Sequence, residues 1–202
     1  MKIYTATAPN PRRVKIFLAE KGIELEQVEI EIMNGETRTD SFLSLNSLGK
    51  APVLELDDGR VLCESVSICR YLEELFPEPA LLGENAFERA RIDMWNRRIE
   101  LEYFQTIGHI AQHTFPFFAG QVEQMPAFAA SQKRLALEKH QWLDDELSDG
   151  REFLSGNRFS LADITGMVAF DLAQHAGVAV SSDLQHLHAW SQRVRSRESM
   201  AA

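Results

Sequence analysis

Cysteine is scarce: 202 residues hold only Cys63 and Cys69, six positions apart. That count and spacing exclude a CxxC redox pair and a four-ligand zinc pattern. What remains is two thiols that behave as small hydrophobes in a reducing compartment. Long apolar runs are absent as well, and none approaches the ~20 residues of a membrane span. Met1-Lys2-Ile3-Tyr4 leads directly into a strand-like pattern, without the basic-then-apolar layout of a signal peptide. The expected location is therefore the cytoplasm, with no membrane partner. A basic tail or stripe is also missing. Net charge is −9, with nine Lys/Arg against fourteen Asp/Glu through residue 80 and twelve against sixteen beyond it. The electrostatic term that drives nucleic-acid binding is thus lacking, and an anionic ligand must be received by local positive charge. No internal repeat or low-complexity segment occurs.

What is present is an ordinary globular composition, 45% hydrophobic and 25% charged, long enough for one large domain or two modest ones. The two halves carry different periods. Lys2–Thr5 reads as a strand, and Val14, Phe17 and Leu18 give Asn10–Lys21 a helical spacing. Val28, Ile30 and Ile32 alternate with glutamates as a half-buried strand, and Asp40–Leu45 reads as a short helical turn. Val53–Leu56 and Arg60–Leu62 flank Asp57-Asp58-Gly59, a hairpin signal. Ser65 is expected to cap a helix that Pro77 stops. Beyond Pro77-Glu78-Pro79 strand patterns disappear. Helices are expected from Phe87 to about Phe104, continuing bent towards Phe115 with Gly108 and then Pro116 as interruptions, then at Ala127–Leu147, Leu161–Gly177 and Leu184–Arg197. The fold class is α/β plus all-α: a βαβ-ββα domain over residues 1–78, a linker at 79–84, and a helical bundle over 85–202.

Asn10 is a strong N-cap residue type, and Pro11 at the first helical position loses nothing by lacking an N–H. A helix start leaves backbone N–H groups unpaired together with roughly half a positive charge. Arg12 and Arg13 in that first turn oppose the macrodipole, so either they are simply solvated or an anion offsets them. Gly49-Lys50-Ala51-Pro52-Val53 sets a proline at the start of a strand, where the residue before it can pair through its backbone with an extended peptide. Leu62-Cys63-Glu64-Ser65 runs a strand into a second helix start, with Glu64 available for a ligand ammonium. Together these form a site for a small anionic ligand, most simply a thiolate.

Ala8-Pro9-Asn10-Pro11-Arg12-Arg13-Val14-Lys15-Ile16-Phe17-Leu18-Ala19-Glu20-Lys21-Gly22 resembles the first helix of cytosolic glutathione transferases. Asn46 to Leu54 followed by Glu64-Ser65 resembles their glutathione signature, and Phe153 to Ile164 resembles the motif before the core helix of their helical domain. The resemblance covers essentially the whole chain. It implies a thioredoxin-like first domain with Pro52 in the cis form, Ala51 pairing with the cysteinyl backbone, Glu64 and Ser65 on the γ-glutamyl end, and Lys50 near the glycyl carboxylate. Arg13 belongs to the same expected glutathione-binding set. It also implies a homodimer, formed by the first helices of the helical domain against the partner's first domain. Glutathione is expected as co-substrate, with no further cofactor and no metal. Read from the residues alone, Ser160 and Asp163 form a capping box whose loss costs about 0.5–2 kcal/mol.

At the chemistry the resemblance departs from the common pattern. The family's usual Ser or Cys position holds Ala8, which has no donor. Tyr4 lies near the position of the tyrosine classes but suits a core strand, and Thr7 and Thr5 are out of register. Thr-Ala-Thr-Ala-Pro and Met94 to Glu102 resemble the atypical fungal and bacterial subgroup, in which the helix start holds a water that takes the catalytic role. Asn10, Thr7 and His113, the last matching that subgroup's histidine or else a surface or core residue, are the catalytic candidates. Tyr103, Phe104, Ile107 and Phe115 either form an apolar electrophile cleft where the long helix is expected to face the first domain, or belong to the core. The expected activity is conjugation of the glutathione thiolate to a hydrophobic electrophile. The alternative is a non-catalytic glutathione-binding or regulatory protein on the same fold. A disulfide reductase would want a cysteine at Ala8, and an isomerase a serine-rich stretch there.

Overall fold

The computed structural model describes residues 1–202. It divides into two compact units, Met1–Ala80 with Ala201–Ala202, and Leu81–Met200. The first unit carries β1 (Lys2–Thr5), α1 (Pro9–Lys21), β2 (Glu26–Glu29), α2 (Asp40–Leu45), β3 (Val53–Glu55), β4 (Val61–Cys63) and α3 (Ser65–Leu75). The sheet order is β2-β1-β3-β4, with β1 and β2 parallel and the remaining pairs antiparallel. This is the thioredoxin-like arrangement. Helices α1 and α3 pack on one another, and Phe17, Ile68 and Leu72 are fully buried.

Four local expectations are corrected. Helix α1 opens one residue early at Pro9, with Ala8 in the cap position at φ −157° and ψ 159° and no side-chain cap. Proline fixes its own φ and pushes the preceding residue to extended backbone, so the first of two prolines takes the first helical position. Strand β2 ends at Glu29, and Ile32 instead opens a 3-10 turn at Ile32–Asn34. Ser65 is the first residue of α3, and the cap position belongs to Glu64 at φ 69° and ψ 115°. Glu64 is the one non-glycine residue with positive φ, a conformation that costs on the order of 1–3 kcal/mol. Gly108 lies inside a regular helix; the irregular turn comes earlier.

The second unit is all helical: α4 (Ala86–Arg98), a π-helical turn at Ile99–Phe104, α5 (Gln105–Thr114), α6 (Pro126–Leu147), α7 (Leu161–His175) and α8 (Gln185–Arg195). Helix α7 forms the centre, with every residue from Leu161 to Phe170 buried. A Cβ at Gly166 would stand 3.1 Å from both Leu154 and the Trp190 ring, so glycine is what permits that approach. The capping box is formed: the Ser160 N–H donates to Asp163 Oδ2 at 3.0 Å. Asp163 Oδ1 also accepts from the Leu154 N–H at 2.8 Å and from Trp190 Nε1 at 2.9 Å. The box therefore ties the α7 start to α8 and the preceding loop. No helix is long and apolar enough to cross a membrane.

Candidate functional site

The strand register gathers the first unit's candidates at one end of the sheet. Tyr4 of β1 lies opposite Val53 of β3, and Val53 lies opposite Cys63 of β4. The residues that leave β1 (Thr7, Ala8), enter β3 (Lys50, Ala51, Pro52) and leave β4 (Glu64, Ser65) thus emerge at the same end, together with the start of α1.

The opening turn of α1 offers few donors. Pro9 and Pro11 have no N–H, the Ala8 N–H donates to Ala6 O at 2.9 Å, and the Arg12 N–H donates to Ala8 O at 3.0 Å. Asn10, exposed in the second helical position, keeps the one backbone N–H of that turn that no group in the chain takes. An ordinary helix start leaves several. Thr7 is exposed just ahead of the turn. Tyr4 is engaged elsewhere: its hydroxyl donates to Glu55 Oε2 at 2.8 Å, and Lys2 reaches the same carboxylate at 3.3 Å. Those contacts hold the Glu55 carboxyl below the usual range, the Tyr4 hydrogen bond contributing most.

The Ala51–Pro52 peptide is cis, as expected from the family pattern. Pro52 is buried at the start of β3 while Lys50 is exposed. Asn46, which sequence reasoning did not single out, fixes the approach to this turn. Its Nδ2 donates to Lys50 O at 2.7 Å, and its Oδ1 accepts from the Leu48 N–H at 3.1 Å. Gly49 stands at φ 59°, and a Cβ there would come within 2.7 Å of Thr37 O. The glycine is demanded by both backbone and space.

Glu64 is exposed, and Ser65 is buried at 4% exposure. Arg13 is not a solvated first-turn arginine. Its side chain is buried at 1% exposure, and Nη1 donates to Ser65 Oγ at 2.7 Å. It therefore bears on a ligand through Ser65. The two thiols are free. Burial pushes Cys69 up to about 12, and burial with the neighbouring Glu64 raises Cys63, whose thiol donates to Leu45 O at 3.6 Å. Neither is a ready thiolate.

In the helical unit the apolar candidates separate into two kinds. Tyr103 and Ile107 are fully buried, and the Tyr103 hydroxyl lies 2.7 Å from His140 Nε2. They are buried in the core, one of the two placements the sequence left open. The π-helical turn sets Tyr103 inward, and Ile107, four residues on, follows it. Phe104 and Phe115 are half-buried. His113 is half-buried at the end of α5; its Nδ1 accepts from the Met125 N–H at 3.1 Å, and its ring meets Phe128 edge-on at 5.1 Å. That bond leaves Nε2 as the nitrogen able to donate.

Comparison with known proteins agrees with this geometry. Residues 3–80 match the glutathione S-transferase N-terminal domain family, and residues 108–198 match the glutathione S-transferase C-terminal domain family. The chain is 34% identical to glutathione S-transferase 2 of Saccharomyces cerevisiae over 205 residues, covering 99% of this chain and 88% of the yeast protein. A glutathione S-transferase domain-containing protein from Marinobacter aquaeolei has a solved structure that superposes at a TM-score of 0.92 with 38% identity, covering 99% of this chain and all of that one. A Gtt2-class glutathione S-transferase from Vibrio parahaemolyticus superposes at 0.87 with 34% identity, over 100% of this chain and 96% of that one. The chain belongs to the glutathione S-transferase family.

Proposed function

We propose that the protein joins the sulfur of glutathione to a hydrophobic electrophile without a side-chain hydroxyl on the sulfur. The observation that carries this reading is Ala8 in the cap position of α1, with the open N–H of Asn10 two residues on. Tyr4 supports it by its commitment to Glu55. The similarity to yeast glutathione S-transferase 2 and to a Gtt2-class glutathione S-transferase supports the glutathione part of this reading. Helix starts and nearby cations lower a thiol pKa from ~8.5 to as little as ~3.5–7.5. With one N–H on offer, the Asn10 side chain and an ordered water complete the shell around the sulfur. His113 is assigned as the further catalytic candidate through Nε2.

In this reading Ala51 pairs through its backbone with the cysteinyl residue. Lys50 meets the glycyl carboxylate, Glu64 the ligand ammonium and Ser65 the γ-glutamyl carboxylate. The thiol gives its proton to solvent, and the thiolate attacks the electrophilic carbon as the leaving group departs with the bonding pair. Phe104 and Phe115 receive the apolar part of the electrophile.

A second copy of the chain is the proposed partner. Phe87, Met94 and Leu101 recur every seven residues along α4 and the π-helical turn and are 74%, 41% and 48% exposed, an apolar line of the kind that marks an interface. Phe87→Glu with Met94→Glu is expected to halve the mass found by sedimentation; an unchanged mass overturns the assignment.

Ala8, which lacks a donor, also favours a second reading, a carrier or regulator that binds glutathione without turnover. Calorimetry with glutathione followed by an aryl halide assay separates the two. Binding with turnover is expected. Binding without turnover across haloaromatics, epoxides, isothiocyanates and hydroperoxides selects the carrier, and failure to bind overturns both.

A further inference from the structure

We infer that Arg13 is a positioning residue that aims the Ser65 hydroxyl proton outward and so favours a carboxylate at the start of α3. The inference rests on the glutathione reading above. Guanidinium groups donate from every nitrogen, accept nowhere and stay charged at any working pH. With Arg13 Nη1 2.7 Å from Ser65 Oγ, the serine oxygen can only be the acceptor. Its own proton is thereby directed away from Arg13, and no acceptor within the chain takes it.

The same turn holds further donors. Glu64 O receives the Ile68 N–H at 2.9 Å, which closes the first intrahelical bond, and no side chain caps the start. The N–H groups of Ser65, Val66 and Ser67 take no bond within the chain. An ordinary serine at a helix start can turn either face to a ligand, giving its proton to a carboxylate or its lone pairs to an ammonium. Arg13 takes one of the two lone pairs, and its positive charge disfavours an ammonium at the other. The α3 start becomes a set of donors with a buried cation behind it, suited to a carboxylate and hostile to an ammonium. Glu64, next to it and exposed, takes the ammonium. The amino and carboxyl groups of the γ-glutamyl end are thus sorted by two adjacent residues, one of which takes its polarity from a residue 52 positions away.

The test measures dissociation constants by calorimetry for glutathione and for its analogue with 4-aminobutyryl in place of γ-glutamyl, which lacks only that carboxylate. Wild type is expected to prefer glutathione by about tenfold or more, the range for a hydrogen bond to a charged group. Arg13→Gln keeps a hydrogen-bonding side chain but can accept as well as donate. It is expected to weaken glutathione about tenfold, change the analogue less than about twofold, and so lose the preference. Arg13→Lys, donor-only and charged, is expected to keep it. Equal weakening of both ligands in Arg13→Gln means a purely structural role and overturns the inference, as does a preference unchanged in that variant. Should Arg13→Gln fail to fold, Arg13→Lys is set against Ser65→Ala: the first keeps the preference and the second loses it, and its loss in Arg13→Lys overturns the inference. Wild type that binds neither ligand overturns the glutathione reading together with the inference. Wild type that prefers glutathione isolates any failure to Arg13.

Discussion

The Lys21 ammonium lies 2.7 Å from the Glu73 carboxylate, and the Lys21 side chain has no solvent exposure while that of Glu73 keeps 10%. The same ammonium donates to Phe76 O at 2.7 Å and to Pro79 O at 2.8 Å. The ion pair and the two hydrogen bonds join the end of α1 to the end of α3 and to the chain leading out of the first unit. Breaking a buried ion pair by removing one partner costs about 3–5 kcal/mol. Lys21→Ala is expected to lower the unfolding free energy by that amount in a denaturant titration, and Lys21→Met combined with Glu73→Leu to recover most of it. A single variant costing under about 1 kcal/mol would contradict this role.

His140 ties stability to pH. Burial lowers it from 6.5 to about 4, so the native state holds it neutral while the unfolded chain protonates it more readily. The unfolded state therefore binds the extra proton between those values, and stability falls as the pH falls. The contribution is complete above about 6.5 and lost as the pH drops through about 4, amounting to roughly 3 kcal/mol. Denaturant midpoints across that window should decline with acid in wild type and decline less in His140→Gln. Parallel declines would remove His140 from the explanation.

Tyr103 and the two half-buried phenylalanines are expected to part company in kinetics. Tyr103→Phe deprives His140 Nε2 of its partner and is expected to cost about 1–3 kcal/mol of stability with kcat/KM unchanged. Phe104→Ala and Phe115→Ala are expected to raise KM for an apolar electrophile with little change for glutathione. A kcat/KM loss in Tyr103→Phe alone would return Tyr103 to the electrophile site.

Much of the fold is legible in local patterns. The bounds of β1 and α2, the hairpin between β3 and β4, and the capping box at Ser160 follow from period, turn residues and spacing. The two cap errors each arise at a neighbouring residue. Asn10 and Ser65 are the best caps by residue type, yet Pro9 moves one start forward and the positive φ of Glu64 moves the other. Ordered motifs indicated the glutathione residues as a set, since Ala51, Pro52, Glu64 and Ser65 are near one another along the chain or at strand ends. Arg13 and Ser65 are 52 residues apart, as are Lys21 and Glu73, and Asp163 meets Trp190 across 27. Such pairs leave no local period, so the burial of Arg13 and Lys21 shows only in three dimensions. The π-helical turn is equally silent: no proline or glycine marks it, and it decides which aromatics face the core.

The most direct measurement is an ultraviolet titration of the glutathione thiol bound to wild type, Thr7→Ala, Asn10→Ala, His113→Ala and Pro11→Ala. A hydroxyl-free site with one open N–H predicts a bound pKa below ~8.5 that Thr7→Ala leaves in place. It also predicts a further drop of about one unit in Pro11→Ala, where a new N–H joins that of Asn10. A pKa that rises in Thr7→Ala alone, with Asn10→Ala, His113→Ala and Pro11→Ala all matching wild type, would contradict it.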